Sequence, residues 1–111
     1  MLTEKDYCDY ETRLGLRDVG YPMRAVRMND GRIRVPRITL YKAQKWLREE
    51  KEIIVDVFVD DDSDTPITYN IYKYGKCVCH HHEKYWSVKE WNEALSEGIK
   101  EAIKLLKEER K

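Results

Sequence analysis

Neither sign of charge is in excess: 21 lysines and arginines balance 21 aspartates and glutamates over 111 residues. A protein whose main task is to coat phosphate backbones carries a basic surplus. The balance therefore speaks against that task, while leaving room for a local basic patch. Long apolar runs are missing too. No stretch approaches the ~18–20 apolar residues of a membrane span, and Met1-Leu2-Thr3-Glu4-Lys5-Asp6 offers no signal-peptide core. Three cysteines, Cys8, Cys77 and Cys79, form neither an even-numbered framework nor a C-x-x-C pair, which points to reduced thiols and a cytoplasmic protein. There is no G-x-S-x-G, no P-loop and no G-x-G-x-x-G. Ser87 reads as a helix cap, Ser63 lies in an acidic loop and Ser96 on a helix surface. The expectation is a protein without cofactor or catalytic constellation.

What is present suffices for a core. Hydrophobic residues make up 41% and charged residues 38%, in periodic blocks, and a chain of this length folds as one domain over residues 1–111 without staples. Thr3 and Asp6 suggest a first helix starting there, with Leu2 stapled on Tyr7 and a stripe of Tyr7, Tyr10, Leu14 and Val19 that ends at Gly20-Tyr21-Pro22. Gly15 weakens its middle. Residues 23–28 and 32–35 read as a hairpin around Asn29-Asp30-Gly31. Thr39 caps a second helix that buries Leu40, Ala43, Trp46 and Leu47.

Ile53, Val55, Val57 and Val59 alternate as one apolar strand face. Ile67, Tyr69 and Ile71 do the same after an acidic loop, Tyr74-Gly75-Lys76 turns the chain, and residues 77–82 form a third strand. In the last helix Ser87 and Glu90 make a capping box, Trp86 staples Trp91, and apolar residues recur from Trp91 to Leu106 at helical spacing. Gly98 within that stripe implies close approach of helix and sheet. The predicted fold class is α+β, a two-layer domain with an antiparallel three-stranded sheet packed by helices, in the order α-β-β-α-β-β-β-α.

Three groups of residues invite a chemical reading. Cys77, Cys79 and His81 are zinc-type ligands, yet residues two apart on a strand are about 6.5–7 Å apart, whereas two sulfurs on one zinc lie about 3.8 Å apart. Only a bent or bulged strand would bring both cysteines to one metal; otherwise they are small residues facing the helices. Asp60, Asp62 and Asp64 open like a calcium loop, but Thr65 and Ile71 occupy the places of the required glycine and glutamate. Arg24, Arg27, Arg32, Arg34 and Arg37 cluster on the first hairpin, where arginine forks match phosphate oxygens. Tyr69 or Tyr72, Tyr74, Tyr85 and Trp86 are candidate anchors for a protein partner.

Three segments carry a resemblance: residues 10–21, residues 38–49, and the run from Trp86-Ser87-Val88-Lys89-Glu90-Trp91 to Leu106. Through them the chain resembles a family of small phage- and mobile-element-associated proteins of Bacteroides-type gut bacteria, for which no function is known. Gly15 departs from the helix formers expected there. The resemblance implies no activity, cofactor or site. From Thr39 onward the order α-β-β-β-α is also that of the double-stranded RNA-binding domain. That module's lysine cluster at the start of its last helix is replaced here by Ser87-Val88-Lys89-Glu90-Trp91-Asn92-Glu93. The sequence is thus read as a non-enzymatic interaction or adaptor protein for a protein partner. Nucleic-acid binding through the arginine hairpin is the alternative.

Overall fold

The computed structural model describes residues 2–24, 26–60, 62–80 and 84–109, without the side chains of Cys79 and His80. The chain does not enter as one helix. Thr3 and Asp6 do meet, the Thr3 N–H donating to the Asp6 carboxylate at 2.7 Å, but they close only a short 3-10 turn over Glu4–Asp6. Tyr7 then bridges Thr39 and the Cys8 N–H donates to the Ile38 carbonyl, so the backbone here is extended. Leu2 is exposed and staples nothing.

Asp9 caps the true first helix, α1 (Tyr10–Asp18), by accepting from the Thr12 N–H at 2.8 Å. Its buried face is Thr12, Gly15 and Leu16, followed by Val19, while Tyr10 is exposed and Leu14 half-buried. The helix is thus capped six residues later than expected, and of the expected stripe Val19 is buried while Tyr10 and Leu14 lie off the buried face. Gly15 has a reason beyond propensity: a Cβ there would lie 3.0 Å from Ile103 Cγ2, so α1 and the last helix approach through it.

The hairpin forms with shorter strands than the sequence suggested, β1 (Val26–Arg27) and β2 (Ile33–Arg34). Its turn is held by the Met28 N–H on the Arg32 carbonyl and by Asp30, which accepts from the Arg32 N–H. Thr39 caps α2 (Leu40–Lys51) as expected, with Leu40, Ala43 and Leu47 buried and Trp46 at the margin, edge-on to Tyr21. Glu52, at φ 55°, turns the chain directly into the sheet.

That sheet is antiparallel, ordered β3 (Ile53–Val59), β4 (Ile67–Lys73), β5 (Lys76–His80). Ile53, Val55 and Val57 of β3 and Ile67, Tyr69 and Ile71 of β4 point to the helices. Val59 breaks the expectation and is 67% exposed, since the sheet outruns its helical cover there. Tyr74 and Gly75, both at positive φ, make the tight turn into β5, a backbone shape whose twist suits a two-residue hairpin. Residues 81 and 82 of the expected third strand lie outside the described residues.

The last helix, α3 (Trp91–Glu109), follows a turn over Val88–Glu90 in which the Glu90 carboxylate accepts from the Ser87 N–H. Ala94, Leu95, Ile99, Ala102, Ile103 and Leu106 are buried against the sheet and α1. Gly98 does what its position implied. A Cβ added there would collide with Val55 Cγ1 and lie 3.3 Å from the Tyr69 ring.

Two predictions follow from the packing. In an unobstructed helix Gly→Ala gains about 1 kcal/mol, but at position 98 overpacking dominates. Gly98→Ala is expected to lower stability by roughly 1–3 kcal/mol in urea unfolding, and an unchanged or higher midpoint would contradict the contact. Asp9 supplies the second. Desolvation pushes its pKa up, but hydrogen bonds from Lys100 and Thr12 outweigh it, and the net shift is downward. A depressed folded pKa contributes stability that is complete above the unfolded value and lost as pH falls through the folded one. Asp9→Asn keeps a capping side chain and removes the charge. The loss of stability between pH 7 and acid pH is therefore expected to be smaller in the variant, and identical acid limbs would contradict the pairing.

Candidate interaction surfaces

The five hairpin arginines do not act as one patch. Arg37 is turned back onto the body, stacked 4.1 Å over the Tyr7 ring and paired with Glu4. The other four, Arg24, Arg27, Arg32 and Arg34, are exposed on the projecting ribbon. The register pairs Val26 with Arg34 and Arg27 with Ile33, so Arg27 and Arg34 emerge on opposite sides. Arg32 pairs with Asp30 at 2.7 Å. Among the described residues, Arg24, Arg27 and Arg34 have no carboxylate partner.

α1 holds the ribbon in place with two side chains that the sequence reading passed over. Tyr10 Oη donates to the Ile33 carbonyl at 2.6 Å, and Arg13 Nη1 donates to the Val35 carbonyl at 3.1 Å. Tyr10, Met28, Arg32, Ile33 and Arg34 line a groove of about 500 Å³ beside β2.

The two cysteines do not both face the helices, as alternation suggested: Cys77 turns to the opposite side of the sheet. β5 carries a bulge at Val78: Cys77 stands opposite Tyr72, and Cys79 opposite Ile71. Tyr72 and Ile71 are neighbours on β4, so the even spacing that would give the two cysteines one register parity is lost. His81 lies outside the described residues. Among the described residues no group of three histidine, cysteine or acidic side chains is placed to hold a metal. Asp60 of the acidic loop accepts a hydrogen bond from Tyr85 Oη at 3.0 Å, and Asp62 and Asp64 are exposed. No helix is long and apolar enough to cross a membrane, among the described residues.

α2 and α3 pack on one side of the β3–β5 sheet, and α1 packs on α3. Among the described residues no element covers the other side. Ile54, Asp56 and Phe58 of β3 share that face with Asn70 and Tyr72 of β4 and Cys77 of β5, as the register requires. Ile54 is 43% exposed, and Phe58, Tyr72 and Cys77 are half-buried. At one end Thr68 is buried, donating to the Lys84 carbonyl, with half-buried Tyr85 reaching Asp60 beside it. The aromatic candidates divide accordingly. Tyr69 and Trp86 are core, with ring centroids 5.9 Å apart, and Tyr74 stands exposed on the β4–β5 turn. Tyr72 and Tyr85 belong to the open face. Ile54 and Phe58 were missed although the sequence signals them, being apolar residues at positions where the strand's alternation calls for polar ones.

A cleft of about 670 Å³ at the far end of the helices is lined by Arg17, Asp18, Glu50, Lys51, Lys73 and Glu109, among others. Three of its charged groups are paired, Lys73 with Glu109 and Asp18 with Lys107 nearby, which ties the end of α3 to the sheet and to α1.

The ionisation of Cys8 is strongly altered: burial, with the nearby Asp9 charge, pushes its pKa up to about 12. A thiol at that value is almost wholly protonated near neutrality and a poor nucleophile. Iodoacetamide mapping of the native protein at pH 8 should leave Cys8 unmodified until denaturant is added, and rapid native labelling would contradict its burial. The chain matches no protein-family model, and comparison with the curated proteins and with the solved structures likewise gives no match.

Proposed function

We propose that the protein is a non-enzymatic interaction module that docks a protein partner on the open face of its three-stranded sheet. The observation that carries this reading is the row Ile54, Phe58 and Tyr72, apolar side chains left partly in water on a face that no described element covers. A protein of this size places such residues under a helix unless another molecule takes that role. Aromatic side chains at the centre of a patch are the usual anchors of protein interfaces.

Charge narrows the partner's chemistry. The described charged groups on and at the end of this face are acidic, Asp56 and Asp60. Asp56 sits between Ile54 and Phe58, so a complementary partner brings an apolar surface with a cation or hydrogen-bond donor opposite it.

The test is a comparative capture. Tagged wild type and the double variant Ile54→Lys/Tyr72→Lys are used as baits in host lysate after nuclease treatment, with unfolding curves showing that both are folded. A stoichiometric protein retained by wild type and lost by at least roughly tenfold with the variant is the expected result. Identical protein recovery by both baits would refute docking on this face. Concentration-dependent dimerisation of the wild type alone would make the partner a second copy of the chain and overturn the adaptor reading.

A further inference from the structure

We infer a second, independent binding site: the β1–β2 ribbon and the groove beside it form a site for single-stranded nucleic acid. Three observations converge on it. The first is segregation of charge. Although the chain is neutral, residues 22–37 hold five of its nine arginines, no lysine and a single acid, Asp30, so the remainder carries a compensating acidic surplus. The choice of arginine alone matters because its planar fork pairs bidentately with phosphate oxygens and stacks on bases, which lysine does not.

The second observation is that three of the five arginines are not engaged in holding the fold. Arg24, Arg27 and Arg34 have no carboxylate partner among the described residues, and the one acid of the hairpin is engaged by Arg32. The ribbon's attachment runs instead through Tyr10, Arg13 and the buried Val35. Structure is thus separated from the arginines that face solvent.

The third is the groove. Tyr10, 43% exposed, and Met28, 41% exposed, line a space of about 500 Å³ together with Ile33, Arg32 and Arg34. An aromatic ring and apolar side chains flanked by guanidinium groups suit an unpaired base lying on the ring with its phosphates on the arginines. A paired base, its faces closed by stacking, could not enter. An acidic peptide would find the arginines but no use for the apolar floor.

The experiment is fluorescence anisotropy of the full chain with a labelled thymidine oligonucleotide of about 12 residues. Two arginine–phosphate contacts in the groove, from Arg32 and Arg34, predict a slope of log affinity against log salt near about −1.4, or a loss of roughly 7-fold between about 50 and 200 mM salt. Arg34→Gln should bring the slope to about −0.7, the value for the one remaining contact, whereas Arg27→Gln, on the opposite side of the ribbon, should leave it unchanged. Tyr10→Ala should weaken binding roughly 5- to 150-fold without changing the slope, as expected for a lost stacking platform. Tyr10→Phe, which keeps the ring and loses only the bond to Ile33, should bind nearly as wild type. The inference is overturned by undetectable binding at about 50 mM salt. It is also overturned by a slope unchanged in Arg34→Gln, or by equal affinity for the same sequence as duplex or for polyglutamate. Variants of the open sheet face leave these measurements unchanged, so this site and that one stand or fall separately.

Discussion

The distance between α3 and the sheet governs most of this molecule. Gly98 lets the helix lie directly against Val55 and the Tyr69 ring, closer than any side chain at that position would permit. Gly15 repeats the device one layer out, letting α1 reach Ile103. With the helices drawn in to this extent, Leu16, Leu95, Ile99, Ile53 and Ile71 are sealed almost completely. A single layer of helices is then sufficient to close a core on one side of a three-stranded sheet. The opposite side is left to water, and there Ile54, Phe58 and Tyr72 stand without cover from any described element.

The element order and the helix-facing core were legible in the sequence because they rest on local rules. Thr39 capping, strand alternation from Ile53 to Val57, the Tyr74-Gly75 turn and the stripe of α3 each obey a periodicity or a capping rule confined to a few residues. Gly98 was legible for a related reason, as a glycine in an apolar stripe that has no other purpose. The failures trace to contacts remote in sequence. Thr3 and Asp6 obey the capping rule yet open no helix, because Tyr7 and Cys8 are claimed by the backbone of Ile38 and Thr39. The bulge at Val78, which separates the register positions of Cys77 and Cys79, has no local signature in Cys77-Val78-Cys79.

The candidate surfaces were legible to a lesser degree. The arginine cluster is visible as composition, but that Arg37 folds back on Tyr7 while Arg24, Arg27 and Arg34 remain outside depends on where α1 anchors the hairpin. Of the aromatic anchors, alternation already put Tyr69 on the apolar face with Ile67 and Ile71, whereas the place of Trp86 in the core depends on its bridge to Ile67, remote in sequence. Two surfaces of opposite character result. One is apolar with acidic groups, the other arginine-rich, and they belong to separate sheets of the molecule.

The claim on which the rest depends is that one face of the β3–β5 sheet is sealed and the other open in the isolated chain. Solvent paramagnetic relaxation enhancement of side-chain NMR signals, using a soluble neutral gadolinium probe, tests it directly. Strong enhancement at Ile54, Phe58 and Tyr72 with protection of Val55, Tyr69 and Ile99 is the predicted pattern. Protection of both sets at low concentration would mean that the open face is covered by the chain itself, contradicting the account.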